Sequence, residues 1–397
     1  MTSPRERSVP PAPPAPPSVP ASVPSLATSR GTPSSFLLRH AGKLVASAII
    51  TVGIVYTVRK GGMKFLPEGG DFKSVRWWTI PLYVVTMVGM SYFRAVRWRF
   101  LLRSIADIPR RRLLAVSWIG FAAILVMPFR LGEFVRPYMI REKGKVSLTA
   151  ATSSVVAERV VDGLYLSVVL AAALVLVPTI VPLPQTVVGI PVTVEHVRMS
   201  GFFMLGLFTV AFLVIAIFFF ARGWAHRMTI AIVGRISMKL AEKLASMFEK
   251  FASGLSFLGR GKDAWGFLFE STLYWGLNAC GMWLLAWGCG VVHADGSAIT
   301  FGETCALMGM LGVTILIPGP PGLLGVFQAG IYAGMTMYFP TAVVIGPGAA
   351  FVFLLYALQV VWTLFAAGLF LVGDRKNLRA LEEAEGILPA ATDTASF

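Results

Sequence analysis

Residues 128–134 read Pro128-Phe129-Arg130-Leu131-Gly132-Glu133-Phe134, and residues 321–327 read Pro321-Gly322-Leu323-Leu324-Gly325-Val326-Phe327. Both are P-x-x-L-G-x-F, and each interrupts an apolar run with Pro and Gly. Irregular backbone at membrane depth is tolerated only where protein buries it or where it lines a cavity. Two such breaks at corresponding places in two halves of a chain point to inverted repeats with a binding site between them.

The surrounding composition belongs to a membrane protein. The chain is 56% hydrophobic and 14% charged, with a mean hydropathy of +0.72, outside the range of soluble domains. Its net charge of +15 sits in short stretches between apolar runs. That distribution marks topology and contacts with anionic lipid rather than a nucleic-acid surface. Cys280, Cys289 and Cys305 form no C-x-x-C pair, and no disulfide framework is expected. His40, His196, His226 and His293 match no metal-ligand spacing. Neither a metal nor a cofactor is expected.

Residues 1–35 are rich in Pro, Ala and Ser and are predicted to be a disordered tail. The first apolar run, 41–58, reads as a retained span rather than a signal peptide. Further spans are predicted at 77–93, 155–177, 201–221, 264–290 and 345–372, since a crossing needs roughly 20 apolar residues. Two other runs, 113–129 and 301–317, end at the breaks and are followed by shorter arms, 131–140 and 325–339. Lys and Arg crowd 94–112, 141–147, 222–262 and the tail 374–397, which places all four in the cytoplasm. That threading is kept only if 113–140 and 301–339 are hairpins that enter from opposite sides.

The predicted fold is therefore an all-α multispanning membrane protein. It has six full spans, two opposed Pro/Gly-broken hairpins and both termini in the cytoplasm. The membrane domain covers 36–373, with inverted repeats over about 77–177 and 264–372. Between them, 225–258 reads as a basic amphipathic helix on the inner leaflet, with Ile236, Leu240, Leu244, Met247 and Phe251 facing lipid. A solvated connector is the alternative.

The candidate site is a set of charges inside apolar segments. Arg130, Glu133 and Arg136 lie in the first hairpin, spaced to share one face of a helical arm. Glu158, Arg159 and Asp162 follow in the next span. Ionisable groups at bilayer depth face inward and serve function by default. Arginine forks match phosphate, and carboxylates hold them when no anion is bound. An interfacial placement, with Arg136 and Arg159 snorkelling, is the alternative. The second break offers few side-chain donors. Pro321, Gly322, Gly325 and Gln328 would act there through backbone amides and close packing.

The stretches Met127-Pro128-Phe129-Arg130-Leu131-Gly132-Glu133-Phe134-Val135-Arg136-Pro137 and Val156-Ala157-Glu158-Arg159-Val160-Val161-Asp162 resemble the lysylphosphatidylglycerol synthase transmembrane-domain family, also called flippase-like domain proteins. The segment from Ile317 to Gln328 looks like that family's second Pro/Gly motif, with Gln328 where many relatives carry Glu. The resemblance covers about residues 40–373. It implies an inner-membrane protein related to the lipid-translocating half of aminoacyl-phosphatidylglycerol synthases. About 24 residues follow Gly373, too few for an aminoacyltransferase domain, so lysyl transfer by this chain alone is not expected. The leading expectation is a translocator of a lipid or lipid-linked glycan. Its partners would be membrane lipids with anionic head groups, without nucleic acid, and a separate enzyme partner stays open. The alternative is the membrane component of a lipid-modifying enzyme.

Overall fold

A computed structural model of the chain describes residues 52, 53, 56, 64–142, 145–180, 194–235, 237–253, 259–315 and 321–373. The tails 1–35 and 374–397 and nearly all of the expected span 41–58 lie outside those residues. Every regular element described is helical, apart from two isolated β-bridges that close short loops.

The first repeat contains α1 (Thr79–Val96), α2 (Trp98–Leu102), α3 (Arg110–Val126), a 3-10 turn over Pro128–Phe134, α4 (Val135–Ile140) and α5 (Leu148–Leu176). The linker contains α6 (Val194–Phe220), α7 (Arg222–Val233) and α8 (Met238–Ser253). The second repeat contains α9 (Gly261–Gly288), α10 (Phe301–Thr314), a 3-10 turn over Pro321–Leu323, α11 (Val326–Met335), the short α12 (Thr341–Ile345) and α13 (Pro347–Val372). Among the described residues, four stretches are long and apolar enough to cross a membrane: Thr79–Leu102, Leu148–Leu176, Gly201–Phe218 and Pro347–Val372.

Local chemistry sets these boundaries. Ser147 caps α5, its Oγ accepting from the Ala150 N–H at 3.2 Å. Thr300 and Glu303 close a reciprocal capping box at the start of α10. Pro347 opens α13, where its missing N–H costs no hydrogen bond.

The two halves of the chain make matching helix contacts. α1 lies along α9, α3 along α13, and α10 along α5. Exchanging the repeats maps each of these contacts onto another or onto itself. The pairing of α1 with α9 is antiparallel: Gly288 meets Thr79, Gly281 meets Thr86, and Gly266 meets Phe100. α1 and α9 thus run in opposite directions, the orientation expected of equivalent elements in inverted repeats. Small residues at such seams let the helix backbones approach closely.

The structure departs from two expectations. The segment 94–112 is not simply a loop. α1 runs to Val96 and α2 follows almost at once, so Arg94 and Arg97 stay within the helical stack. The segment 225–258 is not one helix either, because Gly234 and Arg235 separate α7 from α8. Ala241, Ala245 and Phe248 of α8 face the protein, while Leu240 and Met247 stay exposed. Ile236 and the Phe251 side chain lie outside what is described.

Two large apolar clusters, with a small third around Ala95, Trp118, Phe121 and Ala366, form the core. One gathers α9–α11, α13 and the far half of α5 around Tyr332, Phe339 and Phe351. The other gathers α2, α4 and the near half of α5 around Trp98, Leu101 and Phe267. Arg97 lies between them, its guanidinium 5.5 Å from the Phe267 ring centroid and 4.7 Å from that of Tyr274.

Candidate functional site

The centre of the site is a residue outside the sequence motif. Arg97, fully buried at 0% exposure, sits where α1 passes into α2. Its guanidinium donates to both oxygens of Asp162 at 2.7 Å each. It also reaches Glu158 Oε1 at 3.1 Å and Ser271 Oγ at 3.1 Å. Its face lies over Tyr274, 4.7 Å from the ring centroid. This is the forked, stacked geometry that a guanidinium adopts and an ammonium cannot.

Glu158 and Asp162 stand one turn apart on α5 and share a face. Glu158 also receives Arg159 Nη2 at 2.8 Å and pairs with Arg136 Nη1 at 3.1 Å. The Trp275 indole N–H donates to Asp162 Oδ1 at 3.3 Å. Glu158 (0% exposed), Arg136 (1%) and Asp162 (6%) are all withdrawn from solvent. The cluster is thus buried within the protein rather than spread over its surface. Such burial demands mutual pairing, because an unpaired ion in a low-dielectric interior costs several kcal/mol.

The motif charges divide between two places. Arg136 points down into the packing, 4.3 Å from the Trp98 ring and beside Glu158. The Trp98 N–H is itself held by Ser154 Oγ at 2.9 Å. Glu133, three residues earlier, instead lines a central cavity together with Arg159 and Asp162. The Arg130 side chain lies outside what is described. The expectation that Arg130, Glu133 and Arg136 share one face assumed an α-helical arm, whereas Pro128–Phe134 is a 3-10 turn and α4 begins only at Val135.

The second break meets the first. Gly322 and Leu323 pack against the end of α3 and against the first turn, and both line the cavity. Gly322 has φ +70°, a conformation that glycine adopts without a side-chain clash. Its carbonyl accepts from the Tyr356 hydroxyl at 2.9 Å. Gln328 does not line the cavity. It is buried and caps α11, its Oε1 accepting from the Gly325 N–H at 2.7 Å. Gly325 (φ +88°) is the capped residue, and Pro321 is the first residue of the turn.

The cavity measures about 410 Å³. Arg94, Glu133, Arg159 and Asp162 line it, and the rest of the wall is mostly apolar, with the neutral polar groups of Ser167, Asn278, Tyr356, Gln359 and Thr363 among Leu, Met, Phe, Val, Ile and Gly. Met204 and Phe208 of α6 form its flank. A space with charged groups and a mostly apolar wall suits an amphipathic molecule. Among the described residues, no group of three or more His, Cys, Asp and Glu is gathered as metal ligands would be.

Sequence reasoning missed Arg94 and Arg97 because it counted them with the basic loop. The available signal was their setting: the apolar pattern continues through Phe93, Ala95, Val96, Trp98 and Phe100, which is a helix and not a loop.

The family model described as lysylphosphatidylglycerol synthase TM region matches residues 43–368, which takes in both repeats, both breaks and the buried charges. No curated protein and no solved structure matches the chain. The match spans most of the sequence, and the chain belongs to the family of the lysylphosphatidylglycerol synthase transmembrane region.

Proposed function

We propose that this protein moves an anionic membrane lipid between the leaflets of the inner membrane, with the head group carried in the central cavity. The observation that supports this most is the cavity itself. It lies where the two helix breaks meet, and it sets the charged groups of Arg94, Glu133, Arg159 and Asp162 against a mostly apolar wall. A space of about 410 Å³ suits a head group and its glycerol rather than two whole acyl chains. The chains would stay in the bilayer, along the flank that α6 provides.

The charge distribution supports the orientation. Arg103, Arg110, Arg111, Arg112 and Arg260 gather at one end of the bundle, which is the cytoplasmic end by the positive-inside rule. On α9, Trp265 and Trp287 lie 22 residues apart, about 33 Å along the axis. Trp265 is 74% exposed, and Trp287 stacks edge-on against the exposed Trp78. Aromatic side chains prefer the two membrane interfaces, and their separation fits a hydrocarbon slab of about 30 Å. On that ruler Ser271 and Trp275, the α9 contacts of the ionic cluster, lie about 9–15 Å inside the basic boundary. The head group would therefore be met at depth.

The test is reconstitution into liposomes carrying a trace of fluorescent phosphatidylglycerol. An impermeant quencher added outside then reports exchange between leaflets. Quenching beyond the outer-leaflet half, in protein-containing vesicles only, is the expected result. A plateau at half, as in empty vesicles, removes the proposal.

A further inference from the structure

We propose that Arg94 is the anion-binding side chain of the cavity, and that the group it binds is the phosphodiester of a glycerophospholipid. This rests on the lipid-carrying reading above and names the chemistry at its charged groups.

The four arginines around the cavity are not equivalent: Arg97 and Arg136 are buried, and Arg94 and Arg159 are partly exposed. Arg97, Arg136 and Arg159 are each held in an ion pair with Glu158 or Asp162. Arg94 lines the cavity, yet among the described residues no carboxylate lies within 4.0 Å of it. Its Nε is out of contact with solvent and has no hydrogen-bond partner. Its guanidinium lies over the Phe121 ring, 4.1 Å from the centroid, so its flat face is covered. Hydrogen-bond donors of a guanidinium lie in its plane, which leaves the edge as the binding surface. Three residues further on, at the junction of α1 and α2, Arg97 is locked to Asp162 and cannot turn into the space.

A phosphodiester carries a single negative charge and presents two oxygens to an arginine fork. The mostly apolar wall then fits the glycerol and the first methylenes of the chains. Those parts distinguish a lipid from free phosphate.

The test uses the full chain in detergent and reads the rise in denaturation temperature on titrating three probes. They are phosphatidylglycerol, diacylglycerol with the same acyl chains, and inorganic phosphate. Phosphatidylglycerol is expected to stabilise the wild type saturably, and the other two are not. Arg94→Gln is expected to weaken the apparent phosphatidylglycerol affinity tenfold or more, with Arg94→Lys between the two. Arg103→Gln, on a half-exposed pair away from the cavity, should bind as the wild type does. Arg94 has no ion-pair partner to strand, so the Gln variant should fold, and the Lys variant serves if it does not.

Equal binding by wild type and Arg94→Gln overturns the proposal, as does equal stabilisation by diacylglycerol. Arg94-dependent stabilisation by inorganic phosphate as strong as that by the lipid overturns the lipid assignment. The binding assay involves no transport. Arg94-dependent binding without leaflet exchange would remove the translocation reading and keep this one. Leaflet exchange undiminished in Arg94→Gln would do the reverse.

Discussion

At the scale of single residues, the site is a hub with arginines around two carboxylates. Arg97 makes a two-oxygen fork with Asp162 and a further bond to Glu158, at 0% exposure. Removing one partner of a buried pair strands the other charge, which costs about 3–5 kcal/mol. Removing both relieves that penalty. Arg97→Gln and Asp162→Asn are each expected to destabilise by that amount, and the double variant by clearly less than the sum. A denaturation cycle in detergent measures the coupling, and additivity within about 0.5 kcal/mol would mean the two do not act together. Half of this hub was legible in the sequence. Glu158, Arg159 and Asp162 stand out because charges are scarce in an apolar span. Arg97 did not stand out, because a count of basic residues near the membrane treats a buried arginine and a lipid-facing one alike. Only the path of α1 into α2 separates them.

At the scale of elements, the two breaks share a sequence pattern but are built differently. The first is a 3-10 turn folded tightly on α3. A Cβ added at Gly132 would lie 2.2 Å from the backbone of Ala123 and Ile124, so only glycine fits. The second uses positive φ at Gly322 and Gly325 and hands the chain to α11 through a side-chain cap. The shared Leu and Gly announced that both places break. They did not announce the means, because a 3-10 turn and a left-handed turn place glycine for different reasons. The cap gives a direct expectation. Gln328→Leu leaves the Gly325 N–H without an acceptor in a buried place, which costs about 1–3 kcal/mol. Gln328→Glu keeps a carboxylate oxygen for the same N–H and should retain most of the stability. Thermal denaturation of the two variants beside the wild type checks this, and equal losses would show that the cap contributes little. Arm lengths were less legible than the breaks. Arg110, Arg111 and Arg112 read as loop, yet they form the first turn of α3, where Arg112 pairs with Glu142 at 2.7 Å.

At the scale of the whole molecule, the antiparallel α1–α9 pair is the axis about which the repeats correspond. On either side the hairpins lean on the opposite repeat, α10 on α5 and α3 on α13. The cavity is walled by those outer seams, with Leu170 and Gly309 facing each other beside it. If the repeats alternate in opening the cavity to each side, the outer seams must part while the axis holds. Paired cysteines distinguish the two. Ideal Cβ atoms at Gly309 and Gly288 lie 2.6 Å from Leu170 Cβ and 2.8 Å from Thr79 Cβ, close to the roughly 3.8 Å that a disulfide spans once the backbones adjust. Oxidising a Leu170→Cys, Gly309→Cys pair is expected to stop leaflet exchange of phosphatidylglycerol, with recovery on reduction. Oxidising a Thr79→Cys, Gly288→Cys pair is expected to leave at least half the rate. The liposome assay, run with and without reductant on the same preparation, makes the comparison. Transport unaffected by the cross-link between α5 and α10 would mean that this seam stays closed throughout the cycle, and that the cavity opens elsewhere.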